Sequence, residues 1–377
     1  MKPATLEFIR QRFTEYYKKT VLIAPSSIEQ REWGFVLFSP GYPEIHMHRH
    51  IGFSSREELF EYLKNLVPAH VYYSSAYYEQ PDAPTMKEKR WLGADLIFDL
   101  DADHIMRGSY DIMLARVKEE TEKLLAILTG EFGIDLKTID IVFSGGRGYH
   151  IHVKDIAFRS WGSAERRELI DYVCGIGIDP AAMLQKTAFS HPGWQVRYRD
   201  TLVDYLQWLG TVPEKDAITH LSAIPGISKV TAKDLLEQRE VIVAELTHSP
   251  TATLLRKYRG LALIVSAEEG EFKKRLLERA ALADEPVTTD TKRLIRMPTS
   301  LHGGSGMRVQ QIEARNLAAF DPLTDAVVFG TRDVRVDMRA PVTMPMLGST
   351  YQLAKGITTV PEMVAVFLCC RGMADIA

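Results

Sequence analysis

The chain has 377 residues and a mass of 42.6 kDa, which is enough for one large domain with a smaller one appended, or for two domains. Its composition, 46% hydrophobic and 25% charged, is ordinary for a globular protein. The formal net charge of -3 excludes an overall basic character, so binding of nucleic acid would require a local basic face. The three cysteines form no CxxC pair, which excludes a cysteine zinc site, and the absence of a signal peptide or a long apolar run predicts a cytoplasmic protein outside the membrane.

The N-terminal third predicts helices alternating with aromatic strands. Apolar residues at helical spacing predict a helix over residues 5–19, and the β-prone run 31–38 predicts a strand. Ser55 is a candidate N-cap for a helix that stops before Pro68. The aromatic stretch 70–78 is also β-prone, and its tyrosines could either stack on bases or pack in a core.

The stretch 93–103 reads Gly-Ala-Asp-Leu-Ile-Phe-Asp-Leu-Asp-Ala-Asp and predicts a strand. Because side chains alternate between the two faces of a strand, Asp99 and Asp101 project on the same side while leucine and phenylalanine face a core. Two carboxylates about 7 Å apart at Cα repel each other unless a cation lies between them. Oxygen ligands of this kind suit Mg²⁺ or Mn²⁺. The alternative is a strand end with solvated acids.

A long amphipathic helix predicted over residues 109–130 leads to two short strands joined by the glycine-rich loop 145–148. Glycines allow successive backbone N–H groups to face one anion, and an arginine within the loop adds a bidentate donor for phosphate. Ser144, Arg147 and His150 could therefore converge on one ligand. The alternative is an ordinary hairpin with an exposed arginine.

From residue 163 to about 238 the sequence predicts mainly helices, and Ser163 and the pair Asp179 and Pro180 are plausible helix starts. A third polar cluster lies between residues 282 and 306, where acids, three cations and a histidine precede a glycine-rich turn. This is the composition that a polyphosphate site needs. Residues 321–377 predict further strands and a closing helix, without a recognisable chemistry.

These three clusters, in this order, resemble the small catalytic subunit of archaeo-eukaryotic DNA primase in its archaeal form. The resemblance runs from Arg31 to Gly306, and six motifs in register carry it: 31–35, 47–50, 73–79, 99–101, 144–150 and 293–302. It implies an α/β (α+β) primase fold with an inserted helical subdomain. On this basis residues 1–160 and 245–377 are expected to form the catalytic domain, and 161–244 the insertion.

The resemblance also implies an aspartate triad that holds two divalent ions, Mg²⁺ or Mn²⁺. Asp99 and Asp101 match the first two ligands; Asp284 is the preferred third, because it follows a hydrophobic pair at the family's spacing from the histidine of the last motif, and Asp290 is the alternative. The residues matched to nucleotide binding are Ser144, Arg147, His150, Arg296 and His302, with Arg49 and Tyr72 as weaker matches.

One departure from the family concerns zinc. Many archaeal relatives carry a cysteine and histidine zinc knuckle between the acidic strand and the glycine loop, but residues 103–140 contain no cysteine and only His104, so no structural zinc is expected. The resemblance implies synthesis of short RNA, or also DNA, primers on single-stranded DNA from nucleoside triphosphates, for the initiation of replication. It further implies a heterodimer with a large, iron–sulfur subunit. The alternatives are a primase-like polymerase for repair or gap filling, and a non-catalytic nucleic-acid-binding subunit.

Overall fold

A computed structural model of the chain describes residues 1–39, 41–44, 46–105, 107–178, 193–248 and 251–377. The predicted helix start at Asp179 and Pro180 lies outside these residues. The chain divides into two compact units. Unit 1 comprises Met1–Glu122, Ile134–Glu168 and Ala283–Ala377, and unit 2 comprises Lys123–Gly133 and Leu169–Leu282.

The helices and strands are numbered in chain order. The helices are α1 (Pro3–Lys19), α2 (Arg56–Leu66), α3 (Ala102–Ile105), α4 (Tyr110–Gly130), α5 (Ser163–Cys174), α6 (Trp194–Leu209), α7 (Glu214–Ser222), α8 (Lys229–Glu237), α9 (Arg239–His248), α10 (Thr251–Lys257), α11 (Arg259–Ser266), α12 (Glu271–Leu277), α13 (Glu285–Thr289), α14 (Pro322–Asp325) and α15 (Glu362–Cys370). The strands are β1 (Trp33–Leu37), β2 (Met47–Ile51), β3 (Pro68–Ser74), β4 (Ala76–Tyr78), β5 (Trp91–Ala94), β6 (Leu96–Asp101), β7 (Ile139–Phe143), β8 (Gly148–Val153), β9 (Leu294–Arg296), β10 (Gln310–Ile312), β11 (Asp333–Met338), β12 (Val342–Met346), β13 (Ser349–Leu353), β14 (Gly356–Pro361) and β15 (Ala374–Ile376).

Unit 1 contains these strands, arranged in antiparallel sheets. Two sheets have four strands, in the orders β2-β1-β3-β9 and β10-β7-β8-β6. A third has the order β14-β11-β15, and β12 pairs with β13 and β4 with β5. Antiparallel sheets combined with separate helices define the α+β class, so the predicted fold class is confirmed. In the described part of the chain, no helix is both long and apolar enough to span a membrane.

Local sequence signals explain why the elements of unit 1 form where they do. In β6, the alternate residues Leu96, Phe98 and Leu100 are completely buried, and each contributes about 1.5–3 kcal/mol through removal of apolar surface from water. The other face of the strand carries Ile97, Asp99 and Asp101, and the two aspartates are only partly buried. At the start of α2, the Ser55 hydroxyl accepts a hydrogen bond from the Glu58 N–H at 3.2 Å, as the predicted cap requires.

Unit 2 is helical throughout its described residues. One face of α6 carries Trp194, Tyr198, Leu202 and Tyr205 into its core, at the spacing of a helix packed along one stripe. The predicted insertion ended at residue 244, whereas the observed unit continues to Leu282. The boundary differs because the apolar residues of α10, α11 and α12 are buried in the same helical core; these are Leu254, Leu261, Ile264, Val265, Phe272 and Leu276.

Candidate active site

A cavity of about 650 Å³ in unit 1 brings together residues of both four-stranded sheets. This volume is in the usual range for sites that bind small molecules. Eight of the ten residues predicted from the sequence line it: Tyr72, Asp99, Asp101, Ser144, Arg147, His150, Arg296 and His302. Segments more than 200 residues apart in the chain therefore converge on one cavity.

The pairing of β6 with β8 sets the acidic side of the cavity. Asp99 lies opposite His150 in this antiparallel ladder, and Asp101 lies opposite Gly148. The Asp99 Oδ1 is 3.3 Å from the His150 Nε2. A Cβ at position 148 would lie 2.4 Å from the Leu100 carbonyl oxygen, so only glycine allows the loop to lie this close to the acidic strand.

Asp99 is held in its charged form by its neighbours. Burial acts to raise the pKa of this carboxyl, but the interactions with His150, Arg293 and Arg296 outweigh burial and hold the pKa below its usual value. Asp99 therefore presents anionic oxygens to the cavity at neutral pH.

The glycine loop is organised by Ser144. Its Oγ accepts hydrogen bonds from the N–H groups of Gly146 and Gly148, each at 3.3 Å, and the Tyr110 hydroxyl donates to the Gly146 carbonyl. This differs from the expectation that the loop N–H groups face an anion, since two of them face the serine side chain. Arg147 lines the cavity, and its side chain is the group at this loop that could still pair with an anion.

Arg296 is positioned by strand β3. Tyr72 lies directly opposite Arg296 in the β3–β9 ladder, and the guanidinium lies 4.9 Å from the centroid of the tyrosine ring. The Arg296 Nη1 donates to the Nδ1 of His70 at 2.6 Å. Burial and the charge of Arg296 lower the pKa of His70 well below its usual value, so the ring is neutral, and because Nδ1 accepts from Arg296 its one proton is on Nε2. His70 was missed from the sequence, although its spacing of two from Tyr72 places both on one strand face.

His302 lies in the glycine-rich turn, close to the glycine loop. Its Nδ1 accepts a hydrogen bond from the Gly304 N–H at 3.2 Å, so a neutral ring carries its proton on Nε2 and is a donor there. Desolvation, followed by the charge of Arg296, lowers the pKa of His302 well below its usual value. The cavity thus combines charged guanidinium groups with a neutral imidazole donor.

The other two predicted residues, Asp284 and Arg49, and the alternative Asp290 lie outside the lining. The Asp284 N–H donates to the Asp99 carbonyl oxygen at 2.8 Å, so the Asp284 backbone adjoins the acidic strand. Asp290 Oδ1 accepts from the Lys292 N–H at 2.9 Å and caps that turn. The Arg49 Nε donates at 3.0 Å to the fully buried carboxylate of Glu32, and a nucleotide contact by Arg49 stays a prediction.

The chemistry of the acidic residues fits a divalent cation that binds together with a phosphate ligand. Mg²⁺ takes one or two carboxylates and completes its shell with water and substrate phosphates, and Asp99 and Asp101 supply two carboxylates to a cavity that also holds arginines. Among the residues that the structure describes, no group of three or more His, Cys, Asp or Glu side chains is arranged as a metal site. The convergence of a third acidic side chain therefore stays a prediction.

Comparison with known proteins gives one consistent result. The family model for the DNA primase small subunit matches residues 98–314. Proteins named DNA primase small subunit PriS are similar over the whole chain: that of Methanoregula boonei is 65% identical, with 100% of both chains covered. That of Methanosphaerula palustris is 56% identical and that of Methanosarcina barkeri 39%, covering 100% of this chain and 99% and 97% of the relatives.

Proposed function

Because the chain belongs to the archaeal DNA primase small subunit family, it is a primase catalytic subunit that acts in DNA replication, and we propose that it synthesises short RNA primers on single-stranded DNA. In each step the 3′-hydroxyl of one nucleotide would attack the α-phosphorus of the next nucleoside triphosphate. The bond to the pyrophosphate would break, and the hydroxyl proton would pass to solvent.

The observation that best supports this proposal is the β6–β8 register. It places Asp99 opposite His150 and Asp101 beside the glycine loop, so that carboxylates and Arg147 line the same cavity. Acids to hold a cation and cations to hold a polyphosphate are the two requirements of phosphoryl transfer. In the same cavity, charge that develops on the phosphate oxygens would meet Arg147 and Arg296.

Asp99 and Asp101 would hold Mg²⁺ or Mn²⁺, which when bound polarises the phosphoryl oxygens and favours ionisation of the attacking hydroxyl. His150 keeps the Asp99 carboxylate oriented through their 3.3 Å contact. For a third acid we propose Asp284 rather than Asp290. The backbone of Asp284 adjoins Asp99, whereas the carboxylate of Asp290 caps its own turn.

The remaining residues would bind and orient the nucleotide. Ser144 holds the glycine loop in shape, and Arg147 and Arg296 would pair with the triphosphate. His302 would donate from Nε2, and Tyr72 keeps Arg296 in place through its ring face. The name of the relatives, small subunit, supports a large subunit as the partner, and we propose that this partner is the family's iron–sulfur subunit.

The test is primer synthesis by the purified chain, alone and with its large subunit, on single-stranded DNA with ribonucleotides and Mg²⁺ or Mn²⁺. Asp101→Asn removes one carboxylate charge and is expected to lower synthesis about a hundredfold or more. Asp333→Asn, on the exposed start of β11, is the matched control and is expected to retain full activity. Undiminished synthesis by the Asp101 variant would refute the site.

Primer synthesis and calorimetry together separate the alternatives. A gap-filling polymerase would extend an annealed 3′ end but would not begin a chain on bare template. A non-catalytic subunit would show no metal-dependent nucleotide binding in calorimetry. De novo products that require ribonucleotides would support the primase proposal over both.

A further inference from the structure

The C-terminal segment adds a wall to the cavity that the sequence did not indicate. Arg371 directly follows α15 and lines the cavity together with Arg147 and Arg296. Its guanidinium carbon lies 4.8 Å from the ring centroid of Tyr110 and 5.4 Å from that of Phe367. Two ring faces hold a guanidinium in place without removing its charge.

The Tyr110 ring also connects Arg371 with the glycine loop. The hydroxyl of this tyrosine donates to the Gly146 carbonyl, and Arg147 is the next residue in the loop. Arg371 and Arg147 are therefore held against the same side of the cavity, although 224 positions separate them in the chain.

The surroundings of His302 also indicate that Arg371 and Arg147 lie near each other in the cavity. Arg296, Arg371 and Arg147 line the same cavity as this imidazole, and their charges add to desolvation in lowering its pKa. They come from strand β9, the C-terminal wall and the glycine loop.

We propose that Arg371 binds the triphosphate of the incoming nucleotide, as a third guanidinium beside Arg147 and Arg296. The inference rests on the proposed function and extends it to a residue outside the six motifs. Phosphate oxygens carry charge in several directions, and guanidinium groups that approach from three segments can pair with more of them than one loop can. Contact with the Tyr110 ring keeps the Arg371 guanidinium oriented before the nucleotide binds.

The experiment uses the complex of the chain with its large subunit and compares Arg371→Gln with the wild type. The measurements are KM for the ribonucleotide, the Kd of inorganic tripolyphosphate with Mg²⁺ by calorimetry, and the Kd of single-stranded template. Arg371→Gln is expected to raise the KM and the tripolyphosphate Kd roughly tenfold to a hundredfold, with the template Kd unchanged. Arg335→Gln, exposed on β11, is the matched control and should change none of them.

Other outcomes would overturn the inference. Unchanged tripolyphosphate affinity would do so, and a loss confined to template affinity would assign Arg371 to the nucleic-acid backbone instead. If Arg371→Gln fails to fold, Arg371→Lys is measured instead, because lysine keeps the charge but cannot form the two parallel hydrogen bonds of a guanidinium. A KM of the Arg371→Lys variant equal to that of the wild type would count against the proposal. Because calorimetry needs no turnover, an inactive wild type would contradict the proposed function while the role of Arg371 is still measured.

Discussion

A buried ion pair at the start of the acidic strand should control the stability of unit 1. Arg31 is 1% exposed, and its Nη2 lies 2.7 Å from Oδ2 of Asp95, the residue just before β6. Its Nη1 donates to the carbonyl oxygens of Ser74 and Ser75 at 2.9 and 2.8 Å. The Tyr77 hydroxyl donates to the other Asp95 oxygen at 2.8 Å. The pair therefore joins β6 to the junction between β3 and β4.

The perturbation is Arg31→Met, which preserves the length of the side chain but removes its charge and donors. Asp95 would then remain as a buried carboxylate without its cation, and two carbonyl groups would lose a donor. Loss of one partner from a buried pair costs about 3–5 kcal/mol. Because β6 carries Asp99 and Asp101, we also expect faster amide exchange along this strand and lower primer synthesis.

The assay is a double-mutant cycle of Arg31→Met, Asp95→Asn and the double variant, followed by urea unfolding and by hydrogen exchange of peptides that cover β6. The double variant contains no unpaired charge, so it should be more stable than the sum of the single changes predicts, by about 1–3 kcal/mol. A cost below about 1 kcal/mol for Arg31→Met, or strictly additive changes, would refute the reasoning.

Two further predictions concern buried histidines. His70→Leu removes the acceptor for Arg296 and should raise the nucleotide KM more than it lowers kcat. His70→Asn offers an amide oxygen as an acceptor and should recover part of this loss. Equal KM values for the two variants would contradict the role of His70. Burial lowers the pKa of His70 and His152 well below 6.5, so the unfolded chain binds more protons than the folded chain in mild acid. The free energy of unfolding should therefore fall as the pH drops below about 6.5, by up to about 1.4 kcal/mol per pH unit for each histidine. In urea titrations at several pH values, His152→Gln should show a shallower slope, and an unchanged slope would count against this assignment.

Much of the candidate site could be predicted from local sequence patterns. The alternation of residues 96–101 indicates which face of β6 is buried, and therefore that Asp99 and Asp101 share the other face. Ser55 could be recognised as a helix cap because capping involves only neighbours in the chain. The arginines and histidines of the glycine loop and of the last motif were also predicted to belong to the site, and these residues do line the cavity.

Other parts of the site have no local signal. Arg371 follows an apolar helix, and only the folding of α15 against Tyr110 brings it to the cavity. The hydrogen bond from Arg49 to the buried Glu32, 17 positions earlier in the chain, could not be predicted from neighbouring residues either. The end of the helical unit at Leu282 likewise depends on which core the later helices share.

By itself, the sequence determined the acidic strand and the glycine loop, because period-two alternation and glycine turns act over a few neighbouring residues. The family, and with it the expected roles of Arg296, His302 and Tyr72, was inferred from the resemblance of six motifs. Only the tertiary structure decided the partners: His150 across from Asp99, Tyr72 across from Arg296, and the C-terminal arginine beside the glycine loop. Strand pairing and core packing join residues that are far apart in the chain, and their register depends on the whole set of buried surfaces rather than on any one segment.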